Sequence, residues 1–133
     1  MAVIERFASC SCGQLTAEVT SEPIRISMCH CLACQRRSGS TFAVQARFAA
    51  DTVTIVGEWR TWTRTGDEGS VIDFHFCPAC GSTVLYRQRD VPDVIAIAVG
   101  AFADPDFPAP TVSVYEARRH AWTGTPEDVT HLE

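Results

Sequence analysis

The sequence predicts a mainly β chain with one short helix near residues 32–38. Three observations carry this. Short alternating or apolar segments recur along most of the chain. Turn signals separate them, and only one stretch joins good helix formers to a glycine stop.

In chain order, Gln14–Val19 alternates, with Leu15, Ala17 and Val19 on one side. Arg25–Cys29 and Phe42–Phe48 read as extended. Thr52–Val56 and Glu58–Thr65 flank Gly57, which reads as the turn between two strands. Val71–Cys77 puts Ile72, Phe74 and Phe76 on one face and Asp73 and His75 on the other. Val84–Arg89, Val94–Val99 and Val112–Tyr115 complete the strands, with turns at 66–69, 91–93 and 104–108. Leu32–Ser38 reads as helix and stops at Gly39, which tolerates a left-handed backbone. A further turn is expected after Pro126.

The 133 residues fit one domain, taken as 1–131, with 132–133 set apart as a candidate cloning scar. A hydrophobic content of 46% with 20% charged residues reads as soluble and globular. The net charge is −5 and all 11 basic residues are arginines, which argues against nucleic-acid binding. Arginine suits bidentate capture of carboxylates, so a small acidic ligand fits better. The start of the chain lacks a signal-peptide pattern, and the longest apolar run is far short of the ~20 residues a membrane helix needs. The expected compartment is the cytoplasm, where clustered cysteines more often hold metal or act in redox than form disulfides.

Seven cysteines fall into two sets. Cys77-Pro78-Ala79-Cys80-Gly81 and Cys10-Ser11-Cys12-Gly13 each read as a knuckle between strands. Joined, Cys10, Cys12, Cys77 and Cys80 would supply four sulfurs for a closed structural zinc. Buried thiols, disulfides or a redox pair at Cys77 and Cys80 are the alternatives; the last is opposed by the strand-like Val84-Leu85 that follows. Cys29, Cys31 and Cys34 gather at the start of the helix, where free amides favour thiolates. Three ligands leave a tetrahedral corner for water or a substrate thiolate, the pattern of a catalytic zinc. His30, His75 or His120 could instead close this site, or Cys29 and Cys34 could form a regulatory disulfide after metal loss.

These three motifs, with the run Cys29-His30-Cys31-Leu32-Ala33-Cys34-Gln35-Arg36-Arg37-Ser38-Gly39-Ser40, resemble the glutathione-dependent formaldehyde-activating enzyme family, which includes centromere protein V. The resemblance covers nearly the whole chain. It departs at Ser82-Thr83, where many relatives have Thr-Pro after the knuckle glycine. It implies an Mss4-like fold, a zinc-bound β-sheet domain with the one short helix. It also implies structural zinc at Cys10, Cys12, Cys77 and Cys80, and a second, exchangeable zinc at Cys29, Cys31 and Cys34 beside a glutathione site. The implied activity is that of a carbon–sulfur lyase, which handles the adduct of a small thiol (glutathione) with an aldehyde (formaldehyde). Arg36 and Arg37 are then the nearest partners for glutathione carboxylates; Arg47, Arg87, Arg118 and Arg119 are further ones. Trp59, Trp62 and Trp122 read as core or pocket wall, and His75, Tyr115 and His120 as candidate proton carriers. The competing readings are a non-catalytic zinc module that binds a protein partner, a zinc ribbon on nucleic acid, and a lyase acting on another thiol adduct.

Overall fold

A computed structural model describes residues 5–133; residues 1–4 of the expected domain, and the opening of the stretch searched for a signal peptide, lie outside it. Among the described residues eleven strands form two sheets. The smaller sheet joins β1 (Arg6–Ser9), β2 (Thr16–Val19) and β5 (Val53–Val56) in the order β1-β2-β5, all antiparallel. The larger contains β3 (Arg25–Cys29), β4 (Ala43–Ala49), β6 (Arg60–Thr65), β7 (Val71–Phe76) and β8 (Thr83–Gln88). It also contains β9 (Val94–Ala98), β10 (Val112–Val114) and β11 (Thr130–His131), in the order β11-β10-β3-β4-β9-β8-β7-β6. The mainly β architecture expected from the sequence is observed. Among the described residues there is one α-helix, α1 (Leu32–Ser38), and no helix is long and apolar enough to cross a membrane.

Strand alternation sets the two faces of the larger sheet. On one face Ile26, Ala46, Phe48, Ile95 and Ile97 pack against Ala8, Leu15, Ala17 and Val19 of the smaller sheet and its approach, forming the main core. The other face carries Cys29, Ala43 and the polar side chains of β3 and β4, with α1 above them. The core is therefore spent on one side, and the opposite side is left to build a site.

Several elements differ from expectation. β1 has too little alternation to stand out, and it forms by pairing with β2 from Arg6↔Val19 to Ser9↔Thr16. β11 is two residues long and pairs parallel to β10, which itself runs parallel to β3. Parallel pairing of distant segments leaves no local turn signal. Leu132, set aside at the sequence level, donates its amide to Ser113 and accepts from the Glu116 amide. Trp59, Trp62 and Trp122 are exposed rather than core, because β6 is an edge strand and Trp122 lies in a surface turn. The apolar run after β9 bends into a 3-10 turn at Val99–Phe102.

Candidate functional site

Two cysteine clusters form, with the memberships expected. The sulfurs of Cys10, Cys12, Cys77 and Cys80 all lie within 4.8 Å of one another. Cys12 stands 3.7 Å from both Cys10 and Cys77. Four ligands at ~2.3 Å from a tetrahedral ion would be about 3.8 Å apart, so this donor set fits a metal ion. Each pair sits on a tight turn closed by a backbone bond, Gly13 amide to Cys10 carbonyl and Gly81 amide to Cys77 carbonyl. Gly13 and Gly81 take φ of 88° and 81°, which the turns require and a side chain would resist. Ser11 and Ser82 tie the two tips through hydroxyls 2.9 Å apart.

Cys29 ends β3, Cys31 caps α1, and Cys34 lies in its first turn; all three are buried with sulfurs within 4.8 Å. The Cys34 amide donates to the Cys31 sulfur at 3.3 Å. Hydrogen bonds from the Cys29 and Cys34 thiols, with that amide, hold Cys31 far below the usual thiol range, whereas the same contact with Cys31 and burial push Cys29 up. The Arg37 guanidinium reaches the Cys34 sulfur at 3.5 Å and lies over the Phe74 ring, with Arg64 over the same ring.

No histidine joins the trio among the described residues. His30, between two of its members, is fully buried, and its Nε2 donates to the Ser113 hydroxyl at 2.9 Å. Ser113 in turn donates to Glu116 at 2.7 Å, which also accepts from His131. His30 thus turns away from its cysteine neighbours and does not close the site. His75 lies on the far face of β7 against Thr61 and Trp59, and His120 donates to Gln35 Oε1 outside the cleft.

The trio opens into a cleft of about 350 Å³ on the free face of the larger sheet. From Cys29 its floor runs along β3 and β4, with Ser27 opposite Gln45 and Arg25 opposite Arg47. Tyr86 and Gln88 of β8, Phe74 of β7 and Arg64 of β6 form one wall. Arg37 and Tyr115 stand near the trio, and Asp67, Glu68, Leu132 and Glu133 lie along the lining. Burial pushes the Tyr86 and Tyr115 phenols up, so both stay protonated at neutral pH. Tyr115 packs against the trio in a left-handed conformation, φ 55°, which a bulky residue adopts only when its surroundings hold it there.

Arg37 and Arg47 of the expected arginines line the cleft. Arg36, one residue before Arg37, is exposed on α1, and Arg87, Arg118 and Arg119 are not among the lining residues. Arg25, Arg64, Gln45, Ser27 and Tyr86 were not singled out from the sequence. A signal was present: polar residues alternate with apolar ones in Arg25–Cys29 and in Gln45–Phe48, marking a second face that continues from Cys29.

Compared with known proteins, the chain matches the family model described as glutathione-dependent formaldehyde-activating enzyme over residues 5–118. No curated protein matches it. Among solved structures, the crystal structure of a Rhodobacter sphaeroides protein aligns with a TM-score of 0.57 at 20% identity, covering 77% of this chain and 90% of that one. At that identity the likeness is one of fold.

Proposed function

The chain belongs to the glutathione-dependent formaldehyde-activating enzyme family, and from that premise we propose that its cleft is a carbon–sulfur lyase site joining glutathione to an aldehyde, formaldehyde in the first instance. The observation that carries the reading is the open trio: three converging sulfurs with no fourth protein ligand among the described residues, at the end of a cleft lined by arginines.

Cys10, Cys12, Cys77 and Cys80 would hold a structural zinc, and Cys29, Cys31 and Cys34 a second zinc. Zinc bound there would keep an incoming thiol deprotonated. The chain's own groups then do the following. Arg37 and Arg64 offset the negative charge of three thiolates, which otherwise repel a fourth. Arg37 suits a ligand carboxylate better than the exposed Arg36 does. Tyr115 presents a phenol beside the trio, suited to hydrogen-bond the aldehyde oxygen. In the addition, the sulfur–carbon bond forms and the carbonyl π bond breaks. The oxygen takes the proton that the thiol gave up, and the lyase direction reverses each change. Holding both reactants in one cleft lowers the entropic barrier.

The test is Cys31→Ser, read by metal content and glutathione calorimetry. The expected result is loss of about one zinc per chain, a fold intact by circular dichroism, and loss of glutathione binding. Unchanged glutathione binding overturns the reading and favours a non-catalytic metal module.

A further inference from the structure

Tyr115 holds a left-handed backbone, φ 55°, and among the described residues only Ala103 shares that region without being glycine. Such a conformation persists only where the surroundings over-determine it. The chain does so on both sides. Before Tyr115, the His30 amide donates to the Val114 carbonyl at 3.1 Å, which fastens the end of β10 to the end of β3. After it, the Glu116 amide donates to the Leu132 carbonyl at 3.1 Å, and the Leu132 amide donates to the Ser113 carbonyl at 2.8 Å. β11 therefore spans the turn that Tyr115 occupies.

A string of side chains crosses the same turn. The Glu116 side chain is 13% exposed, and a carboxylate so far withdrawn from water needs donors. His131 and Ser113 supply them. His131 Nδ1 lies 2.9 and 2.8 Å from the two carboxylate oxygens, and Ser113 Oγ donates to Oε2 at 2.7 Å. A carboxylate only accepts, so the Ser113 proton is committed to it and Ser113 accepts from His30 Nε2. Each bond in the string from His131 to His30 then has one direction. Burial pushes the Glu116 carboxyl up, but the bonds from His131 and Ser113 outweigh it and hold the group below its ordinary value.

The Ser113–Glu116 bond closes the turn with Tyr115 inside it. Resting on the reading of Tyr115 as donor to the aldehyde oxygen, we propose that Glu116 is a positioning residue: fastened by Ser113 and His131, it locks the turn and so keeps Tyr115 against the cysteine trio. Ser113, Glu116 and His131 do not line the cleft, so they act on a reactant only through Tyr115. An apolar side chain could fill the same volume, but it would leave the turn free to relax toward the ordinary right-handed or extended backbone.

The chain has 2 tyrosines, Tyr86 and Tyr115. Tyrosine labelled with carbon-13 at the ζ carbon therefore gives one resonance for each, assigned with Tyr115→Phe. The test compares zinc-replete wild type, Glu116→Leu, Tyr115→Phe and the double variant by this resonance and by the kinetics of adduct formation from glutathione and formaldehyde. In Glu116→Leu the Tyr115 resonance should shift or double while the Tyr86 resonance stays. The kcat should fall by about tenfold with KM within about threefold, and adding Tyr115→Phe should cost less than about twofold more, because a residue that acts through Tyr115 then has nothing left to act on. An unchanged Tyr115 resonance in Glu116→Leu overturns the proposal whatever the rate. Losses that multiply in the double variant, to about a hundredfold, also overturn it, since Glu116 would then act independently of Tyr115. A shifted resonance with unchanged rates in both single variants supports the lock on the turn and overturns the donor reading of Tyr115. Should wild type form no adduct, the resonance alone decides the lock. If Glu116→Leu does not fold, His131→Leu on the exposed end of the string supplies the same readouts.

Discussion

The side-chain amide of Gln14 donates to the Cys77 sulfur at 2.9 Å, and the same nitrogen reaches the Glu58 carbonyl at 2.7 Å. Its oxygen accepts from the Glu58 amide at 2.9 Å. One residue thus ties the four-cysteine cluster to the turn between β5 and β6. Partners of this kind orient metal ligands and tune their charge. Gln14→Leu should weaken metal retention at this cluster by about tenfold to a hundredfold in a chelator competition, with the second cluster unaffected. Equal release from both clusters would count against the assignment.

Gly57 sits on that turn at φ 110°, and a Cβ there would collide with the Gln14 backbone carbonyl. Gly57→Ala must move either the turn or the knuckle. We expect a loss of about 3 kcal/mol in urea unfolding, the range of changes that break a strained backbone site. A change within experimental error would mean the turn relaxes freely.

Tyr115 is held left-handed against the trio, so its phenol is positioned by the backbone rather than by chance exposure. Tyr115→Phe keeps the packing and removes one donor. The adduct-forming rate should fall by about tenfold with KM changed less than about threefold, since a hydrogen bond to developing charge acts mainly in the transition state. A rise in KM alone would recast Tyr115 as a binding residue.

Asp73 accepts from Arg89 Nε at 2.9 Å, Arg89 Nη2 at 3.0 Å and Thr63 at 2.6 Å. The Arg89 bonds first, then Thr63, hold its carboxyl down at about 2 from an ordinary 3.8. A depressed carboxyl stabilises the fold fully above its unfolded value and loses that contribution as pH falls through the folded one. The stability difference between wild type and Asp73→Asn should therefore be constant above about pH 4 and shrink toward pH 2. Urea midpoints across that range read it directly, and a difference that stays flat down to pH 2 would refute the pairing.

What could be read from the sequence was local or chemically forced. The two knuckles, the helix stop at Gly39 and the cysteine trio each lie within a few residues, where spacing and backbone preference decide geometry. Even the meeting of Cys10 and Cys12 with Cys77 and Cys80 was legible, because two two-sulfur turns need each other to fill one tetrahedron. Register between distant strands was not. That Arg25 faces Arg47, that β10 runs parallel to β3, and that His30 turns to Ser113 follow from which strands pair, through hydrogen bonds no short window encodes. Helical phase separated Arg37 from Arg36 in the same way. The sequence alone determined which atoms are available for chemistry; only the folded sheet, with one face used up by the core, decided which of them share a cleft.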